Sequence, residues 1–296
     1  MPTLLYLTLN RFTIKDIENF TGIKAHTIRI WEQRYQLFKP KRKDTNHRVY
    51  DSDDLKALLR IAYLYHHGIK ISRIASLSEA EQNNISLEIA SESHGYEIHI
   101  NDLINATLDY DTLRFQTLLD KLLQQEGFET GITKVIYPFL EKIGVLWLTG
   151  SISAAQEHFC SNIIRNKMIV AIEQQSMNYA SDEHFLLFLP EGEFHEIPLL
   201  FTHYLLKKNG RMVTNFGANV SVEDLLPFLA QRKVTHIYTH LLTSMTQQAL
   251  EAFVQALYQL YPQVEIWLSG PPSRLPAIPV YKNVRVIRSM SELLAL

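Results

Sequence analysis

At 296 residues, with 46% apolar and 20% charged side chains, the chain has room for two or three modest globular domains. It shows no apolar run of bilayer-spanning length and no signal-peptide pattern at the N-terminus, and its one cysteine, Cys160, excludes an internal disulfide, so a cytoplasmic protein without a membrane partner is expected. The net charge of −2 is uneven: residues 10–50 hold ten Lys/Arg against four acids, a local +6, which leaves −8 on the rest. A basic head on an acidic body suits a polyanion at one end and something else at the other, although a merely solvated basic face has the same charge count.

In chain order, residues 1–78 read as a helical head. Thr13 is placed to cap a short helix over 14–20, with Ile14, Ile17 and Phe20 on one side. Thr21-Gly22-Ile23 supplies a tight turn, and 24–33 a second short helix. Helix, glycine turn, helix is the helix-turn-helix layout, whose second helix enters a DNA major groove. Pro40 bars a helix from the basic run that follows, and Thr45-Asn46 offers turn chemistry between two extended arms of a wing. Asp51-Ser52-Asp53 provides caps for a third helix carrying Leu55, Leu58, Leu59, Ala62 and Tyr63, and Gly68 ends it.

Residues 79–97 turn polar, lose periodicity and contain no sustained heptads, so they read as a linker. Residues 98–180 carry apolar side chains at helical steps, punctuated by Asp109–Asp111, Gly127 and Gly150, and four antiparallel helices fit. Over 181–296, apolar runs at 185–189, 212–216, 237–238, 264–268 and 284–287 alternate with helical stretches near 196–208, 222–231 and 243–261. That alternation predicts a doubly wound parallel sheet with ligands at the carboxyl ends of its strands. The expected fold class is multidomain α/β: a winged helix-turn-helix head, a four-helix bundle and a Rossmann-like sheet.

Within the head the chain reads Arg29-Ile-Trp31-Glu32-Gln-Arg34-Tyr35, then Pro40-Lys-Arg42, Arg48-Val-Tyr50 and Asp54-Leu55. So many arginines and aromatics at set spacing resemble the MerR-family signature along the whole head, with Gln36 standing where the family often has glycine. The resemblance implies double-stranded DNA as a partner. Lys24, His26, Thr27 and Arg29, in the first turns of the second helix, are expected to reach base edges. Arg34, Lys41, Arg42, His47 and Arg48 are expected on phosphates, which position the protein without reading sequence, and Tyr50 joins this DNA-binding set. Trp31 and Tyr35 read as packing residues.

Behind the head stand Val145-Leu-Trp147-Leu-Thr-Gly150, leading to Glu157-His158, and then Glu193-Phe-His195-Glu196-Ile-Pro198. Each alone is weak, because a buried His is more often a core residue than a ligand. In this order behind a MerR-like head they resemble the light- and cobalamin-responsive regulators of the CarH/LitR type. The resemblance implies a cobalamin, adenosylcobalamin-like, held between the bundle and the Rossmann-like domain. His195 would be the metal ligand and Glu193 the acceptor orienting it. Trp147, Glu157 and His158 match the motif that covers the upper face, while Thr239, Leu241, Ser269 and Gly270 fall where the family lines the nucleotide tail. Four departures stand out: Pro198 and Ser269 replace glycines, Thr239 replaces a serine, and Leu148 stands where light-sensing members have a histidine. Cys160, on an apolar helix, reads as a buried structural thiol.

Three functions compete. The first is a regulator whose sensor binds a cobalamin and controls oligomerisation, dimer or tetramer through the C-terminal domains, and thereby DNA binding. The second is a MerR-type regulator with a degenerate sensor that binds no cobalamin and serves oligomerisation or partner binding. A corrinoid carrier or enzyme module is third, since no substrate barrel accompanies the module. No catalytic residue is expected.

Overall fold

In the computed structural model, which describes residues 12–38, 41–42, 48–91, 96–148, 150–176, 181–242, 246–271 and 281–296, the spacing of Ile14 and Ile17 forms α1 (Ile14–Thr21). Gly22 turns the chain at φ +69° toward α2 (Ala25–Tyr35). α2 ends on Gln36, held left-handed at φ 51°, where a glycine would avoid a Cβ penalty of about 1 kcal/mol. The wing is a two-stranded antiparallel ribbon, β1 (Lys41–Arg42) with β2 (Arg48–Val49). The turn chemistry expected at Thr45-Asn46 lies outside the described residues. α3 (Ser52–His66) starts in a capping box: Asp51 accepts from the Asp53 and Asp54 amides, and Asp54 accepts from the Asp51 amide. Ile17, Ile28, Trp31, Tyr50, Leu58 and Leu64 form the core beneath these elements, and α4 (Ile71–Ser76) adds Ile74 to it.

Residues 79–91, expected as linker, form α5 (Glu79–Ser91) instead. Much of what this helix buries is polar. The Gln82 amide donates to Ile74 O at 3.1 Å and accepts from Arg60 Nε at 3.3 Å, while Ser86 is buried and only Ile85 and Ile89 pack on the head's core. A helix held this way carries little apolar period to read.

The bundle follows: α6 (Glu97–Leu108), α7 (Thr112–Glu126), then α8 (Phe128–Thr130) running through a π-helical stretch, Gly131–Ile136, into α9 (Tyr137–Leu148), and α10 (Ala154–Glu173). Phe115 packs tilted against Phe139 at 5.7 Å and edge-on to Phe159 at 6.0 Å in the bundle core. Gly131 packs closely, since a Cβ there would lie 2.8 Å from Leu123 Cδ2 and would push that side chain aside. α3 and α5 pack on α9, so head and bundle share one compact unit, Met1–Ser161. Arg60 of α3, 5% exposed, joins them: beyond Gln82 it pairs with Glu79 at 3.0 Å and donates to the Leu148 carbonyl at 3.4 Å.

The second unit, Asn162–Leu296, is built on β3 (His184–Phe188), α11 (Glu196–Lys208), β4 (Met212–Asn215), α12 (Leu226–Gln231), β5 (His236–His240), α13 (Gln247–Leu260), β6 (Glu265–Ser269), β7 (Val284–Ile287) and α14 (Met290–Leu294). Its sheet is parallel throughout, in the order β4-β3-β5-β6-β7. From β3 the chain winds outward to β4 and then returns to β5 on the other side. The loops after β3 and β5 therefore flank the switch point where open sheets bind ligands. Leu186, Phe188, Ile237, Leu241, Ile266 and Leu268 cluster with Leu250, Val254 and Leu257 of α13. Strand alternation turns Tyr238, His240 and Ser269 to the opposite face, that of α11. Among the described residues no helix is long and apolar enough to cross a membrane.

Candidate functional site

The first turns of α2 bury Ile28 and Trp31 and leave Lys24, His26 and Arg29 exposed, with Thr27 half-buried beside His26 (3.3 Å). His26 and Arg29 lie exposed on the second helix of the helix-turn-helix, the element that such a motif inserts into the major groove, with Lys24 at its N-cap. Arg34 is exposed at the helix end, 5.4 Å over the Tyr35 ring. Lys41 and Arg42 lie on β1, while their side chains and the whole of His47 fall outside the described residues.

Two wing expectations change. Tyr50 makes no surface for DNA: it is 0% exposed, edge-on to Phe38 at 6.4 Å, and burial pushes its phenol up to about 12. It reads as part of the motif because it anchors the wing to the core. Arg48 donates through Nε to Glu32 at 2.6 Å, with both side chains less than a fifth exposed, so it ties the wing to α2. Glu32→Ala and Arg48→Ala should each cost about 1–2 kcal/mol in urea unfolding, with a coupling energy above about 0.5 kcal/mol in the double mutant. Additive losses would remove the clamp.

In the first unit, Trp147 is half-buried in the last turn of α9, beside the Leu148 carbonyl that Arg60 binds. Glu157 and His158 open α10, with Glu157 Oε2 2.7 Å from His158 Nδ1 and His158 largely exposed. Cys160 is fully buried, and burial pushes its thiol up to about 12, which fits a packing role rather than a reactive one.

The second unit concentrates its polar groups at the switch point. Glu193, 1% exposed, lies on the loop after β3. Its Oε1 accepts from the Phe194 and His195 amides, both at 3.0 Å, and from His195 Nδ1 at 2.5 Å. Its Oε2 accepts from the Leu242 amide, 2.9 Å away on the loop after β5. One buried carboxylate thus staples the two loops and fixes an imidazole that is 57% exposed. With Nδ1–H committed to Glu193, neutral His195 presents the Nε2 lone pair outward, the form in which histidine binds a metal. Glu196 follows in the first turn of α11 and pairs with Arg165 at 2.8 Å, and Pro198 occupies the same turn. A cavity of about 260 Å³ opens between α10 and α11, lined by Arg165, Glu196, Leu200, His203 and Phe216 among others.

The tail-lining set divides. Thr239 and Leu241 alternate onto the α13 face, where Leu241 packs in the apolar cluster and the enclosed Thr239 hydroxyl has no hydrogen-bond partner among the described residues. Ser269 lies on the α11 face, and Gly270 follows it at φ 157°, near-extended backbone. Sequence reading missed Ser269's neighbours. Thr202 Oγ1 reaches Tyr238 OH at 2.9 Å, Tyr238 OH reaches Ser269 Oγ at 2.5 Å, and Ser269 Oγ reaches His240 Nδ1 at 2.7 Å. Burial drives the His240 imidazole down to about 4, so it stays neutral. The polar residues of Tyr238-Thr-His240 were visible in a strand-like run; which of them face α11 was not.

Residues 12–81 match the MerR HTH family regulatory protein family, and residues 99–171 match the B12 binding domain family. The HTH-type transcriptional repressor CarH of Myxococcus xanthus is 24% identical over 270 residues, 89% of this chain and 90% of the relative. The repressor CarA of the same organism is 28% identical over 214 residues, 72% and 70% of the two chains. The monomethylamine corrinoid protein of Methanosarcina barkeri superposes with a TM-score of 0.54 at 17% identity, over 68% of this chain and 97% of that one, a likeness of fold. Residues 12–81 thus form a MerR-type head and 99–171 a B12-binding-type bundle, followed by a Rossmann-like sheet, the layout of a DNA-binding transcription regulator with a cobalamin-type sensor domain.

Proposed function

We propose that this regulator senses a cobalamin through His195 and transmits its occupancy to DNA binding by changing oligomeric state. The observation that carries the reading is the Glu193–His195 pair: one exposed imidazole, oriented by a buried carboxylate at the switch point of the sheet. A metal already held by a macrocycle needs only one such protein ligand, and His195 fits that need. Bound cobalamin would supply a cobalt able to exchange ligands, and His195 would be the residue that holds it. The residues of this chain hold the imidazole aimed, through the Nδ1–H bond to Glu193 and the amides that fix Glu193. The family resemblance adds Trp147, Glu157 and His158 to the same reading. A self-association through the C-terminal domains, dimer or tetramer, a cytoplasmic setting and the absence of catalysis complete it; the CarH and CarA likeness supports a regulatory rather than enzymatic role.

Titration of the full chain with aquocobalamin, followed by absorbance, is the test. Wild type should shift the corrin bands to those of a histidine-ligated form, and His195→Ala should abolish that shift and weaken binding at least about tenfold, or about 1.4 kcal/mol. Equal binding and equal spectra for the two proteins would defeat the ligand role. In the head, Arg34→Ala should flatten the salt dependence of DNA binding by about one unit of slope, as loss of one phosphate contact does.

A further inference from the structure

The face of the sheet beneath α11, which carries Ser269 of the tail-lining set, is closed. Tyr238 projects from β5 toward α11 and is 0% exposed, as is Thr202 opposite it; Ser269 at the end of β6 is 4% exposed. A fully buried phenol must find partners, and this one has two, Thr202 and Ser269, while Ser269 also holds His240. The hydroxyls form one chain that sews α11 to β5 and β6. Ser269 stands where the family pattern has glycine, and a glycine could not make this link. Pro198, the other glycine replacement, lies one turn before Thr202 on α11 and receives a further contact, Thr202 Oγ1 to Pro198 O at 3.1 Å. The Ser269 departure thus supplies a side-chain link in this closure, and the buried Tyr238 fills the face between β5 and α11.

From this we infer that the sensor accepts a corrinoid by its ring and His195 alone, leaving the nucleotide tail outside the sheet–helix cleft, so that corrinoids without the tail are ligands too. The inference rests on the cobalamin reading above and adds which part of the ligand is recognised. Tyr238, Ser269 and Thr202 are its specificity determinants. It also sets an order of affinities. Cobalamin must give up its own base before His195 can take the axial position. Where the freed tail is buried, that burial offsets the loss; here it does not, and cobinamide, which has no tail, incurs no such loss.

The experiment is a paired titration of the full chain with aquocobalamin and with aquohydroxocobinamide, read by absorbance, repeated with His195→Ala, Tyr238→Ala and Ser269→Gly. Cobinamide should bind wild type at least as tightly as cobalamin, and His195→Ala should weaken both. Tyr238→Ala, or Ser269→Gly if the first variant folds poorly, should improve cobalamin relative to cobinamide at least about fivefold by reopening the cleft. Cobalamin binding wild type tenfold or more tightly than cobinamide overturns the closed cleft and leaves the cobalamin reading intact. Binding of neither compound to wild type overturns both.

Discussion

Glu193→Ala is expected to cost the second unit about 2–4 kcal/mol of stability, because the side chain removed accepts from four converging donors. The Phe194, His195 and Leu242 amides and His195 Nδ1 all point at this one carboxylate, which is 1% exposed. Leaving a buried donor unmatched costs roughly 1–3 kcal/mol. The Phe194 and His195 amides lie on a loop whose side chains are exposed and can recover water, which holds the total below the full sum. Glu193→Gln keeps the volume but sets an NH2 group among N–H donors, so it should recover less than half of the loss. Urea unfolding measures the stability, and the 15N shifts of His195 report whether its Nδ1–H bond is gone. A loss below about 1 kcal/mol for Glu193→Ala would show that the staple is decorative.

Acidification should destabilise the second unit between about pH 6.5 and pH 4, largely through His203. Burial, aided by the nearby Lys207 charge and opposed by Glu173, lowers this imidazole from 6.5 to about 4. The Asn215 amide lies 3.5 Å from Nδ1 and favours the unprotonated ring there. The folded value lies below the unfolded one, so across this window the unfolded chain binds the proton and the folded one does not. Stability from this group is therefore complete above pH 6.5 and falls as the pH drops toward 4. A shift of this size corresponds to about 2–3 kcal/mol at the acid end, after allowance for partial exposure. His240 pulls in the same direction, again through burial. His203→Phe should remove about half of the pH slope in urea midpoints measured at pH 7, 6 and 5. An unchanged slope would place the acid sensitivity elsewhere.

Much of this architecture was legible because burial and period coincide. The strands of the parallel sheet are apolar runs, with β3 buried along its whole length, and the helices between them end near Gly210 and Tyr261 as read. The head was legible because its Asp51 cap and turn glycine act locally. α5 was not, since Gln82 and Ser86 take core positions that a periodicity argument reserves for apolar side chains. Arg60, too, looked like one more charge on a helix, and only its neighbours Gln82, Glu79 and Leu148 make it a buried joint.

By itself the sequence determined the order of the modules, the helix-turn-helix and the Glu193–His195 pair, because each depends on residue types at short spacing along the chain. Tertiary structure alone decided that Tyr50 is core, that Arg48 clamps Glu32, and that Tyr238 and His240, not Thr239 and Leu241, face α11. A strand announces that its side chains alternate, but not which helix covers which face. That phase is set by how the sheet is wound, through contacts between residues far apart in the chain.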